Sequence, residues 1–230
     1  MASVLLREEF SIYLERYQAV YIDIAKVASS SIKATLASVL EIEDVKGNPH
    51  DLEFPRPTTI DPNGEKIYPD LYSFAFVRNP WDRLFSCYRD KIIGEVHDFT
   101  EFSDSGIAYC LVRFEVFKAG MSFREFVHAV ASIPDQEADE HFRSQADYVS
   151  NSSGLLAIDF VGRYENLGYD FAKVASHIGM TIETSLPQLQ TAPKRDYATY
   201  YTPETQALVG SRYAQDIELF NYQYSSGQGI

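Results

Sequence analysis

Three short apolar segments, each followed by a helical pattern, constrain the fold of this chain more than any other feature. The segments are residues 19–24, 71–77 and 158–161, and each has the length and composition of a buried strand. Buried strands that alternate with helices form a parallel sheet with crossover helices on its faces. The sequence therefore predicts an α/β fold in three layers, with a central parallel sheet flanked by helices.

The rest of the pattern fits one domain built from such alternating elements. Apolar residues at helical spacing begin at Ile32, and Asn79-Pro80 opens a helix after the second strand, with Asn as the cap. Further helices are predicted over residues 122–131, 169–178 and 203–216. A chain of 230 residues suits a single domain, which we predict over residues 1–230 with a frayed tail at 225–230.

The charge balance and the two cysteines limit the compartment and the partners. The net charge is −13, with 33 acidic and 20 basic side chains, and such a surface repels nucleic acid and anionic membranes. No apolar run approaches the roughly 18 residues of a membrane span, and the charged N-terminus does not resemble a signal peptide. Cys87 and Cys110 form neither a disulfide framework nor a metal-binding spacing. We therefore expect a soluble cytoplasmic protein; its oligomeric state stays open.

The segment after the first predicted strand has the composition of an anion-binding loop. In parallel sheets ligands bind beyond the carboxyl ends of the strands, and residues 25–31 (AKVASSS) follow the first of these ends. Backbone N–H groups and the positive end of the next helix face such a loop, and Lys26 adds a charge. The alternative is a serine-rich turn that only caps the helix. The loop lacks the Gly-rich signature of nucleoside triphosphatases.

The other two strand ends carry arginines. Arg78 ends the second strand, and Ser86 lies almost two turns into the following helix, so the two side chains can meet on one phosphate. The alternative for Arg78 is a salt bridge to Asp82. Arg163 and Tyr164 follow the third strand, where they can hold a phosphate and stack on a purine. Their alternative is an exposed arginine beside a half-buried tyrosine.

These segments resemble the motifs of a known family. Residues 21–36 (YIDIAKVASSSIKATL) are similar to the 5′-phosphosulfate loop of sulfotransferases that use 3′-phosphoadenylyl sulfate (PAPS). Residues 76–88 (FVRNPWDRLFSCY) closely resemble their 3′-phosphate motif, in the version of the carbohydrate and related bacterial branch. Residues 159–171 and 200–222 resemble later blocks of the family, in the same order. The resemblance covers most of the chain and implies the P-loop NTPase-like sulfotransferase fold.

The resemblance also implies a role for each motif residue. The residues that it assigns to the 5′-phosphosulfate group are Lys26, Val27, Ala28, Ser29, Ser30 and Ser31. Arg78 and Ser86 would hold the 3′-phosphate, and Arg163 and Tyr164 would lie near the nucleotide. Ser29 stands where many members have glycine, so we expect the loop to close with backbone angles in the region allowed to all residues.

The implied reaction is in-line transfer of a sulfuryl group from PAPS to an acceptor hydroxyl or amine, without a metal. Lys26 would stabilise the charge that develops on the leaving oxygen of adenosine 3′,5′-bisphosphate (PAP). A histidine suits the role of general base at neutral pH. His50 lies between the two motifs, as the catalytic histidine does in several sulfotransferases. His141, in EHFRSQ, resembles a histidine-glutamine stretch of the carbohydrate branch, whereas His128 and His177 sit in helical patterns that favour structural or surface roles.

Two other functions compete with sulfuryl transfer. A P-loop-type kinase would need a Gly-Lys-Ser/Thr signature and a carboxylate at a separate strand end, but Asp23 directly precedes the loop. A non-catalytic nucleotide-binding module would need no base. The acceptor is expected to be a carbohydrate or a small molecule, and the aromatic-rich residues 98–146 are expected to form either its pocket or part of the core.

Overall fold

The computed structural model describes residues 9–42, 48–58, 60–61, 64–95, 102–182, 186–187 and 195–225. The chain divides into two compact units. The first comprises Met1–Arg78 and Gln145–Leu189, and the second comprises Asn79–Ser144 and Gln190–Ile230. The predicted tail beyond residue 225 lies outside the described residues.

The first unit contains a four-stranded sheet that is mostly parallel. Its strands are β1 (Ser11–Leu14), β2 (Ala19–Ile22), β3 (Tyr72–Val77) and β4 (Phe160–Arg163), in that spatial order. Strands β2, β3 and β4 run parallel, and β1 pairs antiparallel with β2 at one edge. The predicted α/β class with parallel strands is therefore confirmed. The prediction missed β1 and placed the last strand two residues too early.

The helices of the described residues follow the predicted order. In chain order they are α1 (Ser29–Val39), α2 (Pro80–Tyr88), α3 (Tyr109–Val112), α4 (Phe123–Ser132), α5 (Ala146–Val149), α6 (Leu167–Ile178), α7 (Pro203–Arg212) and α8 (Ala214–Phe220). Short 3₁₀ turns lie at Glu15–Tyr17, Pro49–Asp51, Asp135–Glu137, Tyr164–Asn166 and Tyr197–Tyr200, and a π-helical turn at Arg89–Ile93 extends α2. None of the helices in this described part of the chain combines the length and apolarity that a bilayer span requires.

Local capping explains where the helices of the second unit begin. Asn79 accepts a hydrogen bond from the backbone N–H of Trp81 through Oδ1 at 3.1 Å, so α2 starts where the sequence predicted it. Ser122 and Glu125 form a reciprocal capping box at the start of α4. The helix predicted over residues 203–216 is two helices, because Tyr213 leaves helical geometry between α7 and α8.

Aromatic side chains form most of the core of the second unit. Phe123 and Phe126 are buried and pack against the α2 residues Phe85 and Tyr88. Phe117 is also buried and packs against Phe126. These three phenylalanines belong to the segment whose aromatic residues were predicted to line either a pocket or the core. They are core residues, since Phe117 is 4%, Phe123 5% and Phe126 0% exposed.

The central strands of the first unit pack tightly because one glycine lies beside an aromatic ring. Strand β3 is buried on both faces along most of its length, as is usual for a parallel strand. Phe76 pairs in register with Gly162 of β4, and its ring lies 6.0 Å from that of Phe171 on α6. A Cβ added at Gly162 would lie 2.5 Å from Cδ1 of Phe76 and 3.2 Å from Cβ of Asp170.

We predict that Gly162→Ala lowers the free energy of unfolding by about 1–3 kcal/mol, because the added methyl group overpacks the core beside Phe76. Urea denaturation measures this change. The control is Gly168→Ala on α6, where an added Cβ meets nothing within 4 Å. That variant should be as stable as the parent or more stable by up to about 1 kcal/mol. Equal stability of both variants would show that the Phe76 contact does not restrict this position.

Candidate functional site

The loop between β2 and α1 has an unusual backbone that suits anion binding. Lys26 and Ala28 both have φ of +70°, in the left-handed region, whereas Val27 between them does not. The expectation of ordinary backbone angles in this loop therefore holds at Ser29, which is helical, but not at Lys26 and Ala28. A left-handed residue without the freedom of glycine costs about 1–3 kcal/mol, and such strain is typical of functional loops. Alternating conformations of this kind turn successive N–H groups toward one concavity.

The start of α1 adds a second anion-binding feature to this loop. Ala28 is the N-cap residue and has no side-chain oxygen that can accept a hydrogen bond from the first turn. The first N–H groups of an α-helix have no intrahelical acceptor and carry the positive end of the helix dipole. Ser29, Ser30 and Ser31 form this first turn and are buried. Ser29 is helical, so its replacement of a glycine does not strain the loop.

The buried carboxylate of Asp23 holds the two ends of the loop together. Asp23 accepts hydrogen bonds from Ser29 Oγ at 2.5 Å and from the Tyr21 hydroxyl at 3.2 Å. Its second oxygen lies 2.6 Å from the Lys33 ammonium. Burial raises the pKa of Asp23, but the charge of Lys33 and the hydrogen bonds of Lys33 and Ser29 outweigh burial, so the net pKa lies below its ordinary value. Asp23 therefore joins the end of β2 to the first two turns of α1.

His50 contacts the same helix start. The 3₁₀ turn Pro49–Asp51 begins at Asn48, whose side chain accepts the backbone N–H of His50 at 3.0 Å. The imidazole Nε2 lies 2.8 Å from Ser30 Oγ, and Nδ1 lies 3.4 Å from the Lys33 ammonium. The structure thus brings one of the two predicted catalytic histidines to the serine-rich loop.

Arg78 connects the end of β3 to this loop and to the end of β4. Its Nη1 donates to the Lys26 carbonyl at 3.1 Å, and its guanidinium carbon lies 4.0 Å from the centroid of the Tyr164 ring. Gln145 fixes the backbone of Arg78 with two hydrogen bonds of 2.9 Å: its Oε1 accepts the N–H of Arg78, and its Nε2 donates to the Arg78 carbonyl. Gln145 is completely buried, and no sequence argument had assigned it a role.

Arg163 ends β4 and precedes Tyr164 in the 3₁₀ turn. Its backbone N–H donates to the Asp170 carboxylate at 2.8 Å, which ties the end of β4 to α6. The first unit therefore contains ten predicted site positions: residues 26–31 after β2, Arg78 at the end of β3, Arg163 and Tyr164 at the end of β4, and His50 in the 3₁₀ turn beside α1. Ser86 belongs to the second unit, where it is half-buried on α2, and its predicted pairing with Arg78 stays a prediction.

His141, the second predicted catalytic histidine, lies in the second unit beside a carboxylate. Its Nδ1 is 2.6 Å from Asp139 Oδ1, and its backbone N–H donates to the same oxygen at 3.1 Å. Cys110, Asp139 and His141 bring ligand-type atoms within 4.8 Å of one another. Burial and the nearby Asp139 raise the pKa of the Cys110 thiol to about 12, so it is protonated at neutral pH.

The two helical histidines have surface or packing contacts, in line with the prediction for them. His128 on α4 lies 3.1 Å from the exposed carboxylate of Glu204. His177 on α6 stacks on Tyr72 with ring centroids 4.2 Å apart. Neither has a described contact with the residues of the loop.

We predict that Asp23→Asn is about 3–5 kcal/mol less stable than the parent at pH 7, because it leaves the Lys33 charge buried without its partner. The folded pKa of Asp23 is depressed, so its contribution is present above about pH 4 and is lost as the pH falls through the folded value. The difference in the free energy of unfolding between the parent and Asp23→Asn should therefore become smaller below about pH 4. Urea denaturation from pH 7 to pH 3 measures it. A difference in the free energy of unfolding between the parent and Asp23→Asn that is constant with pH would contradict this account.

Comparison with known proteins shows which family the chain belongs to. The sequence matches the model of the sulfotransferase family over residues 11–223. Carbohydrate sulfotransferase 14 from Homo sapiens is 28% identical over 194 residues, which cover 76% of this chain and 48% of the human protein. An uncharacterized protein from Archaeoglobus fulgidus is 31% identical over 134 residues, 58% of this chain and 88% of that protein. No solved structure matches the chain.

The match extends over both units and includes the loop at Lys26 and the strand end at Arg78. The chain spans about half the length of the carbohydrate sulfotransferases that it matches, from human and mouse. The family resemblance that residues 21–36 and 76–88 indicated is thereby confirmed: the chain belongs to the sulfotransferase family.

Proposed function

We propose that this chain transfers a sulfuryl group from PAPS to an acceptor hydroxyl or amine and releases PAP. The observation that carries the proposal is the loop at Lys26 and Ala28, where two left-handed residues precede a helix start without a side-chain cap. Arg78 binds the carbonyl of that loop from the neighbouring strand. Backbone N–H groups, a helix N-terminus and two cations in one unit suit a ligand with two separate anionic groups.

The proposed roles follow from the positions of the charges. Lys26 and the segment Val27, Ala28, Ser29, Ser30 and Ser31 hold the 5′-phosphosulfate. Arg78 and Ser86 hold the 3′-phosphate, with Arg163 and Tyr164 near the nucleotide. Strand, loop and helix at this site support the P-loop NTPase-like form of the sulfotransferase fold. Both oxygens of Asp23 are engaged by Ser29, Tyr21 and Lys33, which argues against the magnesium ligand that a kinase would need.

In the proposed reaction the protein acts mainly by stabilising the negative charge that develops on the leaving nucleotide. As the acceptor attacks in line, negative charge builds on the bridging oxygen of the leaving nucleotide, and the Lys26 ammonium together with the N–H groups of the loop opposes it. The acceptor must also lose a proton. His50 and His141 are the two candidates for the general base, and their hydrogen bonds differ. His141 has Nδ1 on a carboxylate, which favours a proton there and a lone pair on Nε2, the arrangement of a general base.

We propose a carbohydrate or a small molecule as the acceptor. The human relative is named a carbohydrate sulfotransferase, which supports a sugar hydroxyl for this chain as well. The aromatic side chains of Phe117, Phe123 and Phe126 are buried in the core of the second unit, so they offer no surface to such an acceptor.

We expect the purified chain to transfer labelled sulfate from PAPS to a member of an acceptor panel of sugars, phenols and amines. Turnover should persist with a chelator present, because no step uses a divalent cation. Lys26→Ala should lose about 10²–10³ in rate, the cost of one donor to the developing charge. The matched control is Lys173→Ala, an exposed lysine on α6 that lies over the Tyr169 ring, which should remain fully active. Transfer that requires magnesium, or an active Lys26→Ala, would contradict the proposal.

A further inference from the structure

We infer that Lys33 holds His50 in one tautomer, in which the imidazole donates a hydrogen bond to Ser30 and so orients that hydroxyl for the anion. This inference rests on the proposed function, because the anion is the phosphosulfate group of PAPS. It makes His50 and Lys33 positioning residues of the loop. The proton of the acceptor is then taken by a different group.

Lys33 determines which nitrogen of His50 carries a hydrogen. Its ammonium has three hydrogens and no lone pair, so it can only donate. The Lys33 nitrogen lies 2.6 Å from Asp23 Oδ2 and 3.4 Å from His50 Nδ1. Its side chain is 15% exposed and that of Asp23 is 8% exposed, so this contact is held in place by a largely buried ion pair. His50 Nδ1 must therefore present its lone pair to Lys33.

The other nitrogen of a neutral imidazole then carries the hydrogen. Nε2 of His50 lies 2.8 Å from Ser30 Oγ, so the N–H donates to this hydroxyl. Ser30 uses an oxygen lone pair for that bond, and its own hydrogen points away from the imidazole. Ser30 lies in the first turn of α1 and is 5% exposed. An oriented hydroxyl hydrogen at this position adds a donor to the N–H groups of the loop.

This arrangement is not that of a general base. A base needs a lone pair that faces the acceptor, but the lone pair of His50 faces an ammonium ion. A second proton on the ring would place a positive imidazole beside Lys33, and like charges at this separation repel. The sequence order had favoured His50 as the base. The contact with Lys33 favours His141 for that role, with Asp139 at its Nδ1.

Substitutions at His50 separate the two roles. Glutamine places an amide N–H near the position of the imidazole Nε2 and cannot act as a base at neutral pH. We expect His50→Gln to keep turnover with PAPS within about threefold of the parent, and His50→Ala to lose about tenfold, as for one hydrogen bond to a charged group. A loss of about 10²–10⁴ in both variants with PAP affinity unchanged would mark His50 as the base and overturn the inference. His177→Gln, on α6, should match the parent.

Nitrogen-15 spectra of protein labelled in its histidines test the tautomer directly. We expect His50 to carry its hydrogen on Nε2 in the parent and in Lys33→Arg, because arginine also only donates. The double variant Asp23→Asn/Lys33→Met removes both members of the buried ion pair, so it leaves no unpaired charge, and it should show a mixture of tautomers. A hydrogen on Nδ1 in the parent would overturn the inference, as would an unchanged tautomer in the folded double variant.

These spectra require neither PAPS nor an acceptor. The tautomer result therefore stands if the parent chain proves inactive with PAPS, in which case it is the proposed function that fails. The substitution series then repeats as a PAP titration, in which His50→Ala should bind more weakly than His50→Gln. Equal affinity of these two variants for PAP would contradict the link between His50 and the loop.

Discussion

The buried carboxylate of Asp23 is the interaction on which the candidate site depends. It receives the hydroxyls of Tyr21 and Ser29 and the ammonium of Lys33. Through these contacts it fixes the end of β2 and the start of α1, between which the chain adopts two left-handed residues. A strained turn persists only where its surroundings over-determine it, and Asp23 supplies much of that constraint. The same carboxylate holds Lys33 beside His50, so the backbone of the loop and the His50–Ser30 hydrogen bond share one anchor.

The strand next to β2 supplies the second cation of the site, Arg78. Strands β2, β3 and β4 are parallel, so their carboxyl ends meet at one edge of the sheet, and each end supplies one of the interacting residues. Arg78 contacts both the Lys26 carbonyl and the Tyr164 ring, while Gln145 pins its backbone from a segment far along the chain. A guanidinium whose main chain and side chain are both held is pre-organised, which lowers the entropic cost of binding a ligand.

Local patterns in the sequence predicted those features that depend on interactions between neighbouring residues, namely strands and helix starts. The apolar runs indicated the parallel strands, and the Asn79-Pro80 pair indicated the start of α2. The sequence patterns did not indicate strand β1, because it has only four residues and lies next to charged side chains. The left-handed angles at Lys26 and Ala28 had no signal, since neither residue is glycine or asparagine.

Contacts between residues that are far apart in the chain could not be predicted from the sequence patterns either. Gln145 binds the backbone of Arg78 across 67 positions, and Lys33 meets His50 across 17. Periodicity and capping rules act over a few residues and carry no information about such pairs. The motif order suggested that His50 is the base, whereas its contacts with Ser30 and Lys33 favour the proposed role as a hydrogen-bond donor.

The central claim is that Lys26 and Arg78 serve the two phosphate ends of one nucleotide, and a calorimetric titration tests it most directly. Parent protein and Arg78→Ala are titrated, with chelator present, against PAP and against adenosine 5′-phosphate, which lacks the 3′-phosphate. The account predicts that the parent binds PAP more tightly, and that Arg78→Ala loses about 2–4 kcal/mol of affinity for PAP but much less for adenosine 5′-phosphate. Equal weakening of both ligands, or binding of PAP only when magnesium is added, would contradict it.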